Sequence, residues 1–329
     1  MTDTNNDRLV RARAYANLLG AIPSSFTEAT RKLRQDPAPT CAELAPSAAF
    51  LVKRLTRTDT IRTALCFAAS TFKPERHPVP GEVKVEDVLF DYRPLDLAAT
   101  IGLIYIHRRA RTICPTEEWS NIDAHLAKYL DTAVHVGYAL SNAGAVAGVF
   151  LGGYIPLAHA MFLKHDISGF KEYRRHLKGK NLWYDCEYEV SRWGCTSVEL
   201  AAFFIQTLGL GLPLAESFVK GLSSNDPEGA DLDEEAYRFY IVGRWTTNIL
   251  KTGAIPDMTH RGKFYPLKAD LERVLEFYRA TGGSGTRYRW LEKRREDLEG
   301  ATPEKPRNPS VRALEEIDAA IGSDDLIEE

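Results

Sequence analysis

EYEVSRWGCTSVELAAFFIQTLGLGLPLAESFVKGL, residues 187–222, is the stretch whose reading decides the fold. It reads as the end of one helix, a turn at Trp193-Gly194, a second apolar helix, a glycine break and a third helix. Thr196 and Glu199 form a capping box. The Thr hydroxyl accepts from the backbone N–H three residues on, and the Glu side chain reaches back. Leu200, Phe203, Phe204, Thr207 and Leu208 then follow helical spacing. Gly209 and Gly211 can take positive φ and close the helix. Pro213 suits the first turn of the next helix, where no N–H is needed. A helix this apolar on most sides is expected to be buried.

The chain has 329 residues and a net charge of −3, with a pI near 6.3. That balance disfavours bulk nucleic-acid binding, which goes with a strongly basic domain. An apolar content of 44% can fill a core. The five cysteines, Cys41, Cys66, Cys114, Cys186 and Cys195, include no C-x-x-C pair, so no zinc site is expected. Their odd number points to a reducing, cytoplasmic setting. The start, MTDTNNDRLVRAR, carries no apolar segment of the secretory kind. Ala143 to Leu163 is the most apolar run and is long enough to raise the membrane question. Its four glycines and its ordinary flanks favour a buried helix pair instead.

Taken in order, Met1 to Leu19 reads as a leader whose helix runs from Arg8 and ends at Gly20. Ser25 and Glu28 make a second capping box, ahead of a helix that stops at Asp36-Pro37. Thr40 and Glu43 cap the next helix, CAELAPSAAFLVKRL, and Thr58-Asp59 open another. A proline-bearing loop, Phe72 to Gly81, and a short helix, Val83 to Phe90, lead to an apolar helix from Pro94 to His107. Glu117 to Leu140 is a long amphipathic helix. Ser223 to Asp233 is a polar connector, and it divides a main helical domain, 20–222, from a helical extension, 234–299. Within that extension Glu234–Leu250, Leu267–Ala280 and Arg287–Glu299 read as helices, and a Pro-rich linker and acidic tail fill 300–329.

Several of these segments, in this order, resemble the HDOD family, a degenerate, all-helical branch of the HD superfamily. The matching positions are Ile22-Pro23, Asp36-Pro37, Glu43-Leu44-Ala45, Asp59 through Ala69-Ser70, and Val85, Asp87 and Val88. Phe150 to Pro156 and the 187–222 stretch complete the set. Two departures stand out: the spacing from Ala45 to Asp59 is long, and Ala69 replaces the family's Asn. The resemblance implies an all-α multi-helix bundle with no catalytic, metal or cofactor residues. It implies a regulatory or scaffold role in bacterial signal transduction, exercised through protein–protein contacts. The places of the superfamily's metal ligands fall near Leu130, Pro156 and Leu157, none of which can bind a cation. Homo-oligomerisation is left open.

Four features invite a different chemistry. His165-Asp166, with His159 upstream, would be the ligands of a divergent metal-dependent phosphohydrolase, since such a site needs mixed N and O donors. His125 and His135 also lie upstream, and His135 reads as a core or boundary imidazole. The basic runs Lys171–Lys180, near Tyr173 and Trp183, and Arg287–Arg295 could meet an anion or a nucleic acid. His107 to Arg111 could do the same, but basic residues at a helix end also oppose the dipole. For all three runs the solvated helix face is the favoured reading. Cys195, just before a helix start, could be an activated thiol, but a small residue beside the capping Thr196 is the favoured reading.

Overall fold

Where the helices begin and end follows from proline and glycine. Pro46, Pro94 and Pro213 each occupy the first turn of a helix, where the missing N–H is no loss and φ is already set. Gly194 and Gly253 end helices in the left-handed conformation, at φ 74° and 69°, which a side chain disfavours. The computed structural model describes residues 2–58, 61–65, 68, 89, 92–140, 143–224, 231–254, 272 and 276. Every secondary-structure element among the described residues is helical.

In chain order these are α1 (Thr2–Ala16), α2 (Ser24–Gln35), α3 (Pro46–Thr56), α4 (Pro94–Ile113) and α5 (Thr116–Ala139). Then follow α6 (Ala145–Val149), a π turn (Phe150–Tyr154), α7 (Ile155–His165), α8 (Ile167–Lys180) and α9 (Cys186–Trp193). The last are α10 (Ser197–Ile205), a second π turn (Gln206–Leu210), α11 (Leu212–Ser223) and α12 (Glu234–Thr252). The expected readings of Phe72–Gly81, Leu267–Ala280, Arg287–Glu299 and the tail lie outside the described residues, apart from positions 272 and 276. So does Val83–Phe90 apart from Leu89; of the Asp59 to Ser70 match, residues 61–65 and 68 are described, and they are helical with Ile61, Ala64, Leu65 and Ala68 buried.

The run α6–π–α7 is the axis of the bundle. Its most apolar window is wholly buried, packed by α5, α4, α10, α8, α1 and α12. Ala145–His165 is long and apolar enough to cross a bilayer, and the protein itself surrounds it. Glycine sets the distance to α5. A Cβ on Gly148 would sit 2.2 Å from the Ala133 carbonyl oxygen, and one on Gly152 would sit 2.5 Å from the Leu130 Cα. Backbone cannot yield there, so only glycine lets the two helices touch.

The 187–222 stretch folds as its sequence dictates. Thr196 accepts from Glu199 N while Glu199 bonds back to Thr196 N, a reciprocal cap. Gly209 and Gly211 have φ of 82° and 94°. Leu200, Phe204 and Leu208 are buried, whereas Thr207 faces solvent.

Some local expectations fail. The Ser25–Glu28 box does not form: the cap position falls two residues earlier, at Pro23, with no side-chain cap, and Glu28 turns to Arg31 instead. The Thr40–Glu43 cap does not form either: Thr40 precedes only a short 3-10 turn, Cys41–Glu43, with no side-chain cap; Leu44 is extended, and Pro46 restarts the chain as α3. The helix pair expected in 143–163 is a single helical run, with the π turn placed just before Pro156. A wider turn there tolerates the donor that proline lacks. α1 begins at Thr2 rather than Arg8, and it packs on α7 and α10 through buried Ala12 and Ala16. α12 packs on α11 and α5, and its Trp245 and Ile249 belong to the same core as Ala12.

Candidate functional site

The most concentrated buried polar chemistry lies where α7, α8, α9 and α10 meet, around Glu189. Cys186, Glu189 and Trp193 are spaced to fall on one face of α9. Trp193 stacks on Phe162 of α7, with ring centroids 4.3 Å apart and planes 9° off parallel. Packing this face inward takes the Glu189 carboxylate with it, to 0% exposure.

Four groups compensate the lost hydration. Ser197 N donates to Glu189 Oε2 at 2.6 Å, and Ser197 Oγ donates to Oε1 at 2.9 Å. The Tyr173 hydroxyl donates to Oε1, and His159 Nε2 lies 3.1 Å from the same oxygen. Ser197 is the first residue of α10, so the carboxylate also lies at the positive end of that helix dipole. Tyr173 relays a further contact, because its oxygen accepts from Asp185 N at 2.9 Å. Burial first, and then the adjoining Glu189 charge, push the Tyr173 hydroxyl well above its ordinary pKa, which keeps the proton that it donates.

A second cluster adjoins the first. The His125 ring lies 6.0 Å from the His159 ring and 4.7 Å from Trp183. Tyr129, one turn along α5, stacks on Trp183 at 5.5 Å and 11°. Lys128 places its ammonium 5.2 Å from the same indole. Burial, helped by His159 and Arg174, pushes the His125 imidazole down to about 3, so the ring is neutral at physiological pH. No protein family, curated protein or solved structure matches this chain. The chemistry of the site therefore rests on its own geometry.

The residues offered as metal ligands, His159, His165 and Asp166, do not converge. Asp166 caps α8, accepting from Gly169 N at 2.8 Å, and pairs with Arg192 at 2.8 Å. Those bonds, the amide first, hold its carboxyl below the usual range against a smaller effect of burial. His165 packs edge-on to Tyr15. Only His159 enters the buried cluster, and there its Nε2 is taken by Glu189. Among the described residues no group of three His, Cys, Asp or Glu side chains is placed to hold a metal. His135 is buried and bonded to the carbonyl of Asp131 on its own helix.

Much of Lys171–Lys180 is engaged locally: Lys171 pairs with Glu118, and His176 and Lys180 pair with Asp185. His107 is fully buried and bonded to Asp123 at 2.8 Å, and Arg109 donates to the Leu19 carbonyl. Arg287–Arg295 lies outside the described residues. Cys195 is buried, and burial pushes its thiol up to about 12, the opposite of activation.

Two acids precede Trp193 in the stretch, Glu187 and Glu189, and the sequence alone does not rank them. Glu187 is exposed, and the buried acid is Glu189. A partial signal was present: Glu189 lies four residues before Trp193, on the same helical face.

Proposed function

We propose that this chain is a non-catalytic regulatory or scaffold module of the HDOD type, acting through protein–protein contacts in bacterial signalling. The observation that carries this reading is the use made of the candidate ligands. In the competing reading, a metal-dependent phosphohydrolase, His159, His165 and Asp166 would hold a cation. Each has another task here: His159 bonds Glu189, His165 packs on Tyr15, and Asp166 caps α8 and binds Arg192. The Glu189 carboxylate accepts at both oxygens from helix-joining donors. A frame whose polar interior joins helices suits a body that presents surfaces to partners. The helix order through residues 187–222 supports the family assignment.

The test combines elemental analysis, nucleotide-hydrolysis assays and affinity capture from a native lysate of a signalling-competent bacterium. The reading expects no divalent metal retained at stoichiometric level, no hydrolysis, and a reproducible protein partner. Stoichiometric metal together with hydrolysis, both lost in His165→Ala, would overturn it in favour of the hydrolase.

A further inference from the structure

Within its 14 residues α8 sets five cations, Lys171, Arg174, Arg175, Lys178 and Lys180, against one acid, Glu172. The whole chain, by contrast, has a net charge of −3. The acids around α8 are already engaged. Glu118 of α5 pairs with Lys171 at 2.8 Å and also acts with Arg174, while Glu117 adds to the field at Lys171. Asp166 and Glu172 pair with Arg192. Asp185 pairs with His176 and Lys180. Arg175 and Lys178 are exposed and make no ion pair among the described residues.

Helical spacing gathers this charge on one side. Ile167, Lys171, Arg174, Arg175 and Lys178 stand at i, i+4, i+7, i+8 and i+11, a single face about 16 Å long. Phe170, Tyr173 and Leu177 are the buried side of the same helix. Ile167 is 43% exposed, so an apolar side chain stands at one end of the positive face.

The composition of the face separates the polyanions that could meet it. A nucleic-acid strand needs aromatic rings for its bases, and the aromatic side chains of α8 are the buried ones. A long strand would also run past the face onto a chain that is net negative. A membrane surface needs a broad apolar stripe beside the cations, and Ile167 is a single residue. A short acidic segment needs neither. Charge acts over about 8 Å at physiological ionic strength, so such a segment feels the face and not the rest of the chain. We propose that this face of α8 docks an acidic segment of a partner protein, with its carboxylates over Arg174, Arg175 and Lys178 and an apolar side chain against Ile167. Docking here presupposes the regulatory role proposed above and names the surface that serves it.

The test titrates the full chain into labelled probes and follows fluorescence anisotropy: a glutamate-rich peptide bearing one leucine, its glutamine counterpart, and a thymidine oligonucleotide. Phosphatidylserine vesicles are tested by co-sedimentation. The glutamate peptide should bind saturably, more weakly as salt rises, and at least about tenfold more tightly than the glutamine peptide. Arg175→Glu with Lys178→Glu should weaken it by about tenfold or more, and Arg175→Gln with Lys178→Gln by less. Arg13→Glu, on the exposed side of α1, changes the net charge elsewhere and should leave binding at the parent value. All variants should keep the parent melting curve. No saturable peptide binding, an equal loss in Arg13→Glu, tighter binding of the oligonucleotide or the vesicles, or self-association of the parent chain that the reversal abolishes would each overturn the proposal. Affinity capture separates the two readings. A partner held equally by the parent and the reversed chain overturns this face alone, and no partner held by either overturns the regulatory role with it.

Discussion

Two neighbouring polar clusters share one histidine contact and treat burial in opposite ways. Around Glu189, donors from α7, α8 and α10 all find the carboxylate. Around Trp183 the packing is ring on ring, with His125 and Tyr129 against the indole at 4.7 and 5.5 Å. The first cluster is a joint, in which the carboxylate oxygens convert their lost hydration into bonds between helices. The second is an aromatic patch, in which ring faces rather than polar bonds hold the 181–185 segment to α5. Low dielectric strengthens a completed network, so adjacent sites can be held by polar bonds in one case and by ring packing in the other.

The contrast breaks most sharply at Glu189. Glu189→Ala strands His159, Tyr173 and the Ser197 amide at once, and should cost about 3–5 kcal/mol in a chemical-denaturation experiment. A loss below about 1 kcal/mol would mean that the junction is not the joint described. A paired comparison comes next. Tyr173→Phe removes a hydroxyl that both donates and accepts, and should cost about 1–3 kcal/mol. Tyr129→Phe removes a hydroxyl whose one polar interaction is with Thr247, and should cost less, about 0.5–1 kcal/mol. Equal losses would erase the distinction between the two clusters.

Acid sharpens the same point. His125 is held down to about 3 against an ordinary 6.5, and burial lowers the His107 imidazole as well. Between those pH values the unfolded chain binds a proton that the folded chain refuses. Stability is therefore intact above about pH 6.5 and falls as pH drops toward 3, by at most about 1.4 kcal/mol per pH unit for each group. In His125→Asn the denaturation midpoint should fall less steeply through this range, with the His107 share remaining; an unchanged slope would show His125 open to water. The smallest effect belongs to the cap beside the junction. Thr196→Ala should cost about 1 kcal/mol, and Thr196→Ser should restore most of it.

How far the sequence could be read depended on the range of the interactions involved. The Thr196–Glu199 cap, the glycine stops at 209 and 211, and the buried α10 were legible because each is fixed within a few residues by dihedral limits and helical period. The Ser25–Glu28 box misled because Pro23 sets the start of α2 and leaves the Ser25 side chain no capping role. The helix break expected in 143–163 misled because neither glycine nor Pro156 ends a helix whose every side is packed. Glu189 went unread for a different reason. Its neighbour Glu187 has the same chemistry, and only the stacking of Trp193 on Phe162 decides which acid turns inward.

What the amino-acid order determined by itself is therefore an all-helical chain with its starts, stops and most apolar spans, since these follow from local torsional freedom and side-chain spacing. The tertiary structure alone decided that His159, Tyr173, Glu189 and Ser197 meet, that His165 and Asp166 part, and that His125, Tyr129 and Trp183 pack on one another. Those groups come from helices far apart in the chain. Only packed helix faces, with glycine-to-backbone contacts setting their distance, carry the information that brings them together or keeps them apart.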